Sequence, residues 1–135
     1  MFWQAIAAGA NGLVPYAFHG MRKNLKGADY DKARGDVKAV RASVKRREAI
    51  ILSDPGPSAT TDAAHLLCRT WKTADGETWL LLSNANRAKV TATVKLGASF
   101  RKAAPEVGVS ATLTSPAVLS AELPPLASGF VRLVP

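Results

Sequence analysis

The sequence predicts a mainly β protein: an antiparallel β-sandwich preceded by one long amphipathic helix, with a helix end and one buried strand ahead of it. Three observations carry this. The hydrophobic period is 3.6 residues between about 29 and 52, then 2 from about 64 onward. A stretch rich in Pro, Gly and Ser separates the two regimes, Ser53-Asp54-Pro55-Gly56-Pro57-Ser58-Ala59-Thr60-Thr61-Asp62. Turn signals then recur at short intervals to the end of the chain, as in sandwiches.

Residues 2–8 are good helix formers, and Gly9 or Gly12 can supply the left-handed residue that ends a helix. Leu13-Val14-Pro15-Tyr16-Ala17-Phe18 follows as a continuous apolar run. Apolar residues on both parities indicate a strand covered on both faces, as in parallel sheets. Pro15 lacks a ladder donor and belongs at an irregularity. Residues 19–27 are basic and glycine-punctuated, hence a loop. Asp29 is placed to cap the helix that follows and runs to about Leu52. Its apolar stripe is Ala33, Val37, Val40, Val44 and Ile51. Arg34, Lys38, Arg41 and Lys45 each follow one residue later, about 100° around the cylinder.

Beyond the linker, residues 66–73 and 77–84 flank Ala74-Asp75-Gly76, a hairpin signal. Val90, Ala92, Val94 and Leu96 alternate with Lys89, Thr91, Thr93 and Lys95, the clearest half-buried strand of the chain. Shorter strands are expected near 107–113, 117–123 and 129–134. The expected organisation is therefore 1–52 for the helix end, strand, loop and long helix, 53–63 for the linker, and 64–135 for the sandwich.

Composition narrows the function classes. The chain has 135 residues, 47% apolar and 21% charged, which is globular usage. The formal charge is +8, concentrated in residues 22–48, which hold ten Lys/Arg against four Asp/Glu. Such an excess either attracts a polyanion or forms a solvated face; the stretch from Lys38 to Arg47 has no interleaved aromatics and lies beside a well-formed apolar stripe, so a solvated face is expected and nucleic acid is not an expected partner. Cys68 is the only cysteine, so no intrachain disulfide forms and the compartment stays open. The apolar start has no Lys or Arg before it and is broken by Gly9, Asn11, Gly12 and Pro15, unlike a signal peptide. No membrane span is expected.

Motifs for chemistry are sparse. No Gly-x-Ser-x-Gly surrounds a serine, and His19 and His65 are the only histidines. Two His and one Cys without short spacing make no zinc site, and no phosphate loop is present, so neither metal nor cofactor is expected. The four glutamates, Glu48, Glu77, Glu106 and Glu122, do not fall at the end of the buried strand, so no catalytic carboxylate pair is expected. His19 stands just past the carboxyl end of that strand, where α/β folds hold their ligands, with Tyr16 and Phe18 beside it. These three are the candidate substrate-binding residues. Trp71 and Trp79 flank the hairpin turn; their parity with Leu67 and Leu81 favours the core over a sugar-stacking platform.

The stretch from Trp3 through Ala8-Gly9-Ala10-Asn11-Gly12-Leu13 to Tyr16 and Phe18 resembles the last strand, with its preceding helix, of a glycoside hydrolase (β/α)₈ barrel. The long helix ending near Glu48-Ala49-Ile50-Ile51-Leu52 is similar to the one that closes such barrels. Trp79-Leu80-Leu81-Leu82-Ser83-Asn84 and Leu123-Pro124-Pro125-Leu126-Ala127-Ser128-Gly129-Phe130-Val131-Arg132-Leu133 resemble strands of the small β-sandwich that follows those barrels. Pro15 departs from the usual apolar residue at its position. The resemblance implies a remnant of the last barrel βα unit, with both catalytic carboxylates upstream of Met1. It implies a non-catalytic carboxyl-terminal region of a carbohydrate-active hydrolase, from a family often secreted or periplasmic. Its partners would be the remainder of the barrel, or a second copy covering residues 1–18, with carbohydrate as a further contact. The alternative is a small basic module that contacts nucleic acid through helix 29–52. A third reading is a self-contained protein whose residues 1–18 fold onto the sandwich or into a dimer interface.

Overall fold

The computed structural model describes residues 2–10 and 27–135. Among these, nine strands form two antiparallel sheets. The strands are β1 (Asp54–Pro55), β2 (Ala59–Thr61), β3 (Leu66–Lys72), β4 (Thr78–Asn84), β5 (Val90–Leu96), β6 (Lys102–Pro105), β7 (Ser110–Ser115), β8 (Val118–Leu123) and β9 (Ser128–Val134). One sheet has the order β1-β3-β4-β9-β6, the other β2-β5-β8-β7. Ahead of them lie α1 (Phe2–Ala7), α2 (Gly27–Arg46) and the single turn α3 (Glu48–Ile51). The chain is thus mainly β, as its change of period indicates. The apolar run 13–18 lies outside the described residues.

The sheets face each other across one core. Leu66, Leu80, Leu82, Val131 and Leu133 of the five-stranded sheet meet Ala92, Val94, Leu96, Leu119, Ala121 and Leu123 of the four-stranded one. Strands β5 and β8 alternate strictly, with Thr91, Thr93, Lys95, Ser120 and Glu122 turned to solvent. That half-wet pattern is the usual one for an antiparallel sheet. Strand β4 is different. Thr78, Leu80, Leu81, Leu82, Ser83 and Asn84 are all buried, so both of its faces are covered. Among the described residues a second apolar cluster lies on the far face of its sheet, under the helices.

The Pro- and Gly-rich segment 53–63 carries two short strands. Asp54–Pro55 pairs with β3, and Ala59–Thr61 pairs with β5. The chain therefore crosses from one sheet to the other within a few residues. Gly56 permits the crossing: a Cβ there would stand 2.9 Å from Thr70 Oγ1. Proline is tolerated because β1 is an edge strand. Strand β6 was not expected. Its sequence Lys-Ala-Ala-Pro has no apolar alternation, and it forms because the edge of β9 offers backbone partners.

The β3–β4 hairpin closes as its turn residues dictate. Gly76 takes φ +85°, and the Thr73 and Glu77 backbones bond across the turn at 2.9 Å. The Thr73 hydroxyl bonds the Asp75 carboxylate and holds its pKa below the ordinary value, helped by the Glu77 backbone. At the other end of β4, Asn84 is fully buried. Its Nδ2 donates to the carbonyls of Ala88 and Pro124 at 2.9 Å, and its Oδ1 accepts from the Asn86 N–H at 2.8 Å. One side chain thereby ties the β4–β5 loop to the β8–β9 turn, where Leu126 has φ +56°.

Replacing Asn84 by Ala removes these part-buried hydrogen bonds, each with a net worth of about 0.5–1.5 kcal/mol. Urea unfolding of Asn84→Ala is expected to show a fall in stability of that order with an unchanged m-value.

Candidate functional site

Register places the far face of the five-stranded sheet in rows. Trp71 of β3, Trp79 of β4 and Arg132 of β9 form one row. Arg69, Leu81 and Phe130 form the next, and Leu67, Ser83 and Ser128 a third. This face is apolar with two guanidinium groups set into it. Ile6 and Ala7 of α1 and Ile51 of α3 are buried against it, with Phe2, Trp3, Val44 and Ile50 packed around them. Both tryptophans are therefore core residues, but of this helix-covered layer and not of the space between the sheets. Trp71 is buried and Trp79 half-buried.

Helix α1 ends in a Schellman arrangement, with Gly9 at φ +118°, the Gly9 N–H on Ile6 O at 3.1 Å and the Ala10 N–H on Ala5 O at 2.9 Å. Arg69 completes that end. Its Nη1 donates to Ile6 O at 3.1 Å and Ala10 O at 3.2 Å, where a cation also meets the negative end of the helix dipole. The same guanidinium lies 4.9 Å over the Trp71 ring.

Arg47 fixes the other helical element. It sits between α2 and α3, three residues after Val44, on the apolar stripe. Its guanidinium lies 5.0 Å over Phe130 and 6.0 Å from the Trp3 ring, which themselves meet edge to face at 5.3 Å. Nη1 donates to Ser43 Oγ at 3.1 Å, and Nη2 pairs with the Glu106 carboxylate. A cavity of about 130 Å³ opens beside it, lined by Trp3, Ser43, Leu81, Val107, Ser128 and Phe130 among others. Arg47 Nε and Trp71 Nε1 are buried with no acceptor in reach among the described residues.

Three of the four glutamates are engaged with cations. Glu77 accepts from Arg132 Nη1 at 2.8 Å and from Trp79 Nε1 at 3.2 Å. Glu106 faces Arg47, and Glu122 faces Lys89 at 2.8 Å. Glu48 is exposed on α3. His65 is exposed in the loop before β3. Cys68 donates to Ala59 O at 3.2 Å, and burial pushes its thiol pKa up. Among the described residues no group of three His, Cys, Asp or Glu stands together, and no helix is long and apolar enough to cross a membrane.

Of the residues singled out from the sequence, Tyr16, Phe18 and His19 lie outside the described residues. The stripe positions Val44 and Ile51 do meet the sheet. Arg47 and Arg69 were missed, although each carries a signal. Arg69 shares the strand parity of Leu67 and Trp71, and Arg47 occupies a stripe position of the helix. A cation on an apolar parity points to stacking on a ring. Comparison with protein-family models, with curated proteins and with solved structures gives no match for this chain.

Two outcomes are expected. Arg47→Ala removes charge-assisted hydrogen bonds worth about 1.5–3 kcal/mol, so denaturant stability should fall by that order and amide exchange in α3 should quicken. Cys68 has a raised pKa in the fold, so its thiolate fraction at a given pH is smaller than in the unfolded chain. Iodoacetamide should alkylate the native protein more slowly, and the native rate profile should sit at higher pH than the profile in urea.

Proposed function

We propose that this chain is the non-catalytic carboxyl-terminal region of a carbohydrate-active hydrolase of the (β/α)₈-barrel class, with a packing role. The observation that carries the reading is the helix-covered sheet. An isolated antiparallel sandwich leaves its outer faces wet, whereas this one has an apolar outer face under α1 and α3. The cover continues into α2, whose stripe Ala33, Val37 and Val40 carries on from Val44. Helix α2 has no buried residue among those described, and Val40 is 36% exposed. A helix of this kind gains most of its stability from packing of its apolar face. In the proposed assembly that face lies against the rest of the barrel.

The glutamates support the same role. Carboxylates bound to Arg47, Lys89 and Arg132 are held as ion-pair partners. Acid/base work in glycoside cleavage needs two carboxyl groups facing one another across a bond. The sandwich contributes its helix-covered face to the assembly, and any contact with sugar is secondary.

Two measurements test this. An antibody against residues 53–135 should detect, in cells that make the protein, a polypeptide longer by about 200 residues, since such a barrel has about 250 and residues 1–52 supply its last unit. Detection of a 135-residue species alone overturns the reading. On a panel of aryl glycosides the isolated chain should show no turnover. Turnover abolished by Glu77→Gln or Glu106→Gln would equally refute it.

A further inference from the structure

We infer that the cationic ridge of α2, formed by Arg34, Lys38, Arg41 and Lys45, binds the phosphate backbone of double-stranded nucleic acid. The four residues are spaced 4, 3 and 4 apart and all are exposed. At about 100° per residue they form one line along the helix, roughly a quarter-turn from the apolar stripe. Among the described residues none of them has a carboxylate within ion-pair distance. The pairs that do form use Lys32, Arg47, Lys89 and Arg132. Like charges three and four apart on a helix destabilise it. Helix α2 has no buried residue to offset that repulsion. A polyanion laid along the ridge turns it into attraction.

Dimensions fit the ligand. The eleven rises of helix from Arg34 to Lys45 span about 16 Å. One strand of a duplex presents a phosphate every 3.4 Å or so of axis, so four or five phosphates run alongside. No aromatic side chain interrupts the ridge, so it lacks the stacking surface that single strands require. Backbone contact of this kind is independent of base sequence. An anionic lipid surface fits less well. Asp29 and Asp36 occupy the opposite flank of the stripe, and a helix lying with its stripe in the bilayer interface would press them among anionic headgroups. The ridge is set off from the stripe, so it stays accessible when the stripe is covered. The inference therefore stands apart from the hydrolase reading.

The test uses the whole 135-residue chain and a random-sequence duplex of about 20 base pairs, followed by fluorescence anisotropy between about 50 and 200 mM salt. Four phosphate contacts give a slope of log K against log salt of about −3.6. Each of Arg34→Gln, Lys38→Gln, Arg41→Gln and Lys45→Gln should lower the steepness by about 0.9, and the fourfold variant should lose the salt-sensitive binding. The double variant Lys95→Gln, Lys102→Gln, on the sandwich, should leave the slope unchanged. Circular dichroism of each variant establishes that the fold is kept. Absence of binding at the lowest salt overturns the inference, as does a slope that the fourfold variant does not alter. Binding to phosphatidylserine vesicles without binding to the duplex overturns it in favour of a membrane surface.

Discussion

A strand that is apolar on both parities cannot sit in a sheet with one wet face. Strand β4, Thr-Trp-Leu-Leu-Leu-Ser-Asn, is such a strand. Its Leu80 and Leu82 point into the space between the sheets, and its Trp79 and Leu81 point the other way. Burying a Leu side chain is worth about 1.5–3 kcal/mol, so leaving either set in water is a large loss for a domain of marginal stability. The second cover is the constraint from which the helical part follows. It explains why α1 and α3 lie where they do, and why the two sheets of one sandwich have such different outer surfaces. The four-stranded sheet has Thr, Ser, Lys and Glu outside and needs no lid.

The helical cover is held by cations as much as by apolar contact. Arg47 and Arg69 lie over aromatic rings while their donors reach a helix end, a serine and a glutamate. A guanidinium is weakly hydrated and planar, so it can stack on a ring and still keep its hydrogen bonds at the plane's edge. That combination suits a boundary layer between short helices and a sheet, where backbone carbonyls at helix ends must be satisfied and space is flat. A longer aliphatic residue would fill the same space and leave the α1 carbonyls bare.

Much of the sandwich was legible from residues. Strand β5 shows its bounds in the alternation of Val90, Ala92, Val94 and Leu96, because only one of its faces is wet. The hairpin at Asp75-Gly76 is legible because a positive φ is required there. What could not be read was anything decided by backbone alone. Strand β6 and the two short strands of 53–63 have no side-chain pattern, and the edges of β9, β3 and β5 recruit them. The placement of Trp71 and Trp79 in a second layer was also hidden. Parity says which residues share a face, but not which of two faces meets the opposing sheet.

The attachment of α2 has a mechanical consequence. Twenty residues of helix reach about 30 Å, yet the grip on the sheet is concentrated at Val44 and Arg47. The helix is in effect a lever with its fulcrum on Phe130. A tilt of about 10° at that pivot carries the far tip through about 5 Å, given the 1.5 Å rise per residue. The packing of one guanidinium between Phe130, Ser43 and Glu106 thus sets the direction of the helix axis.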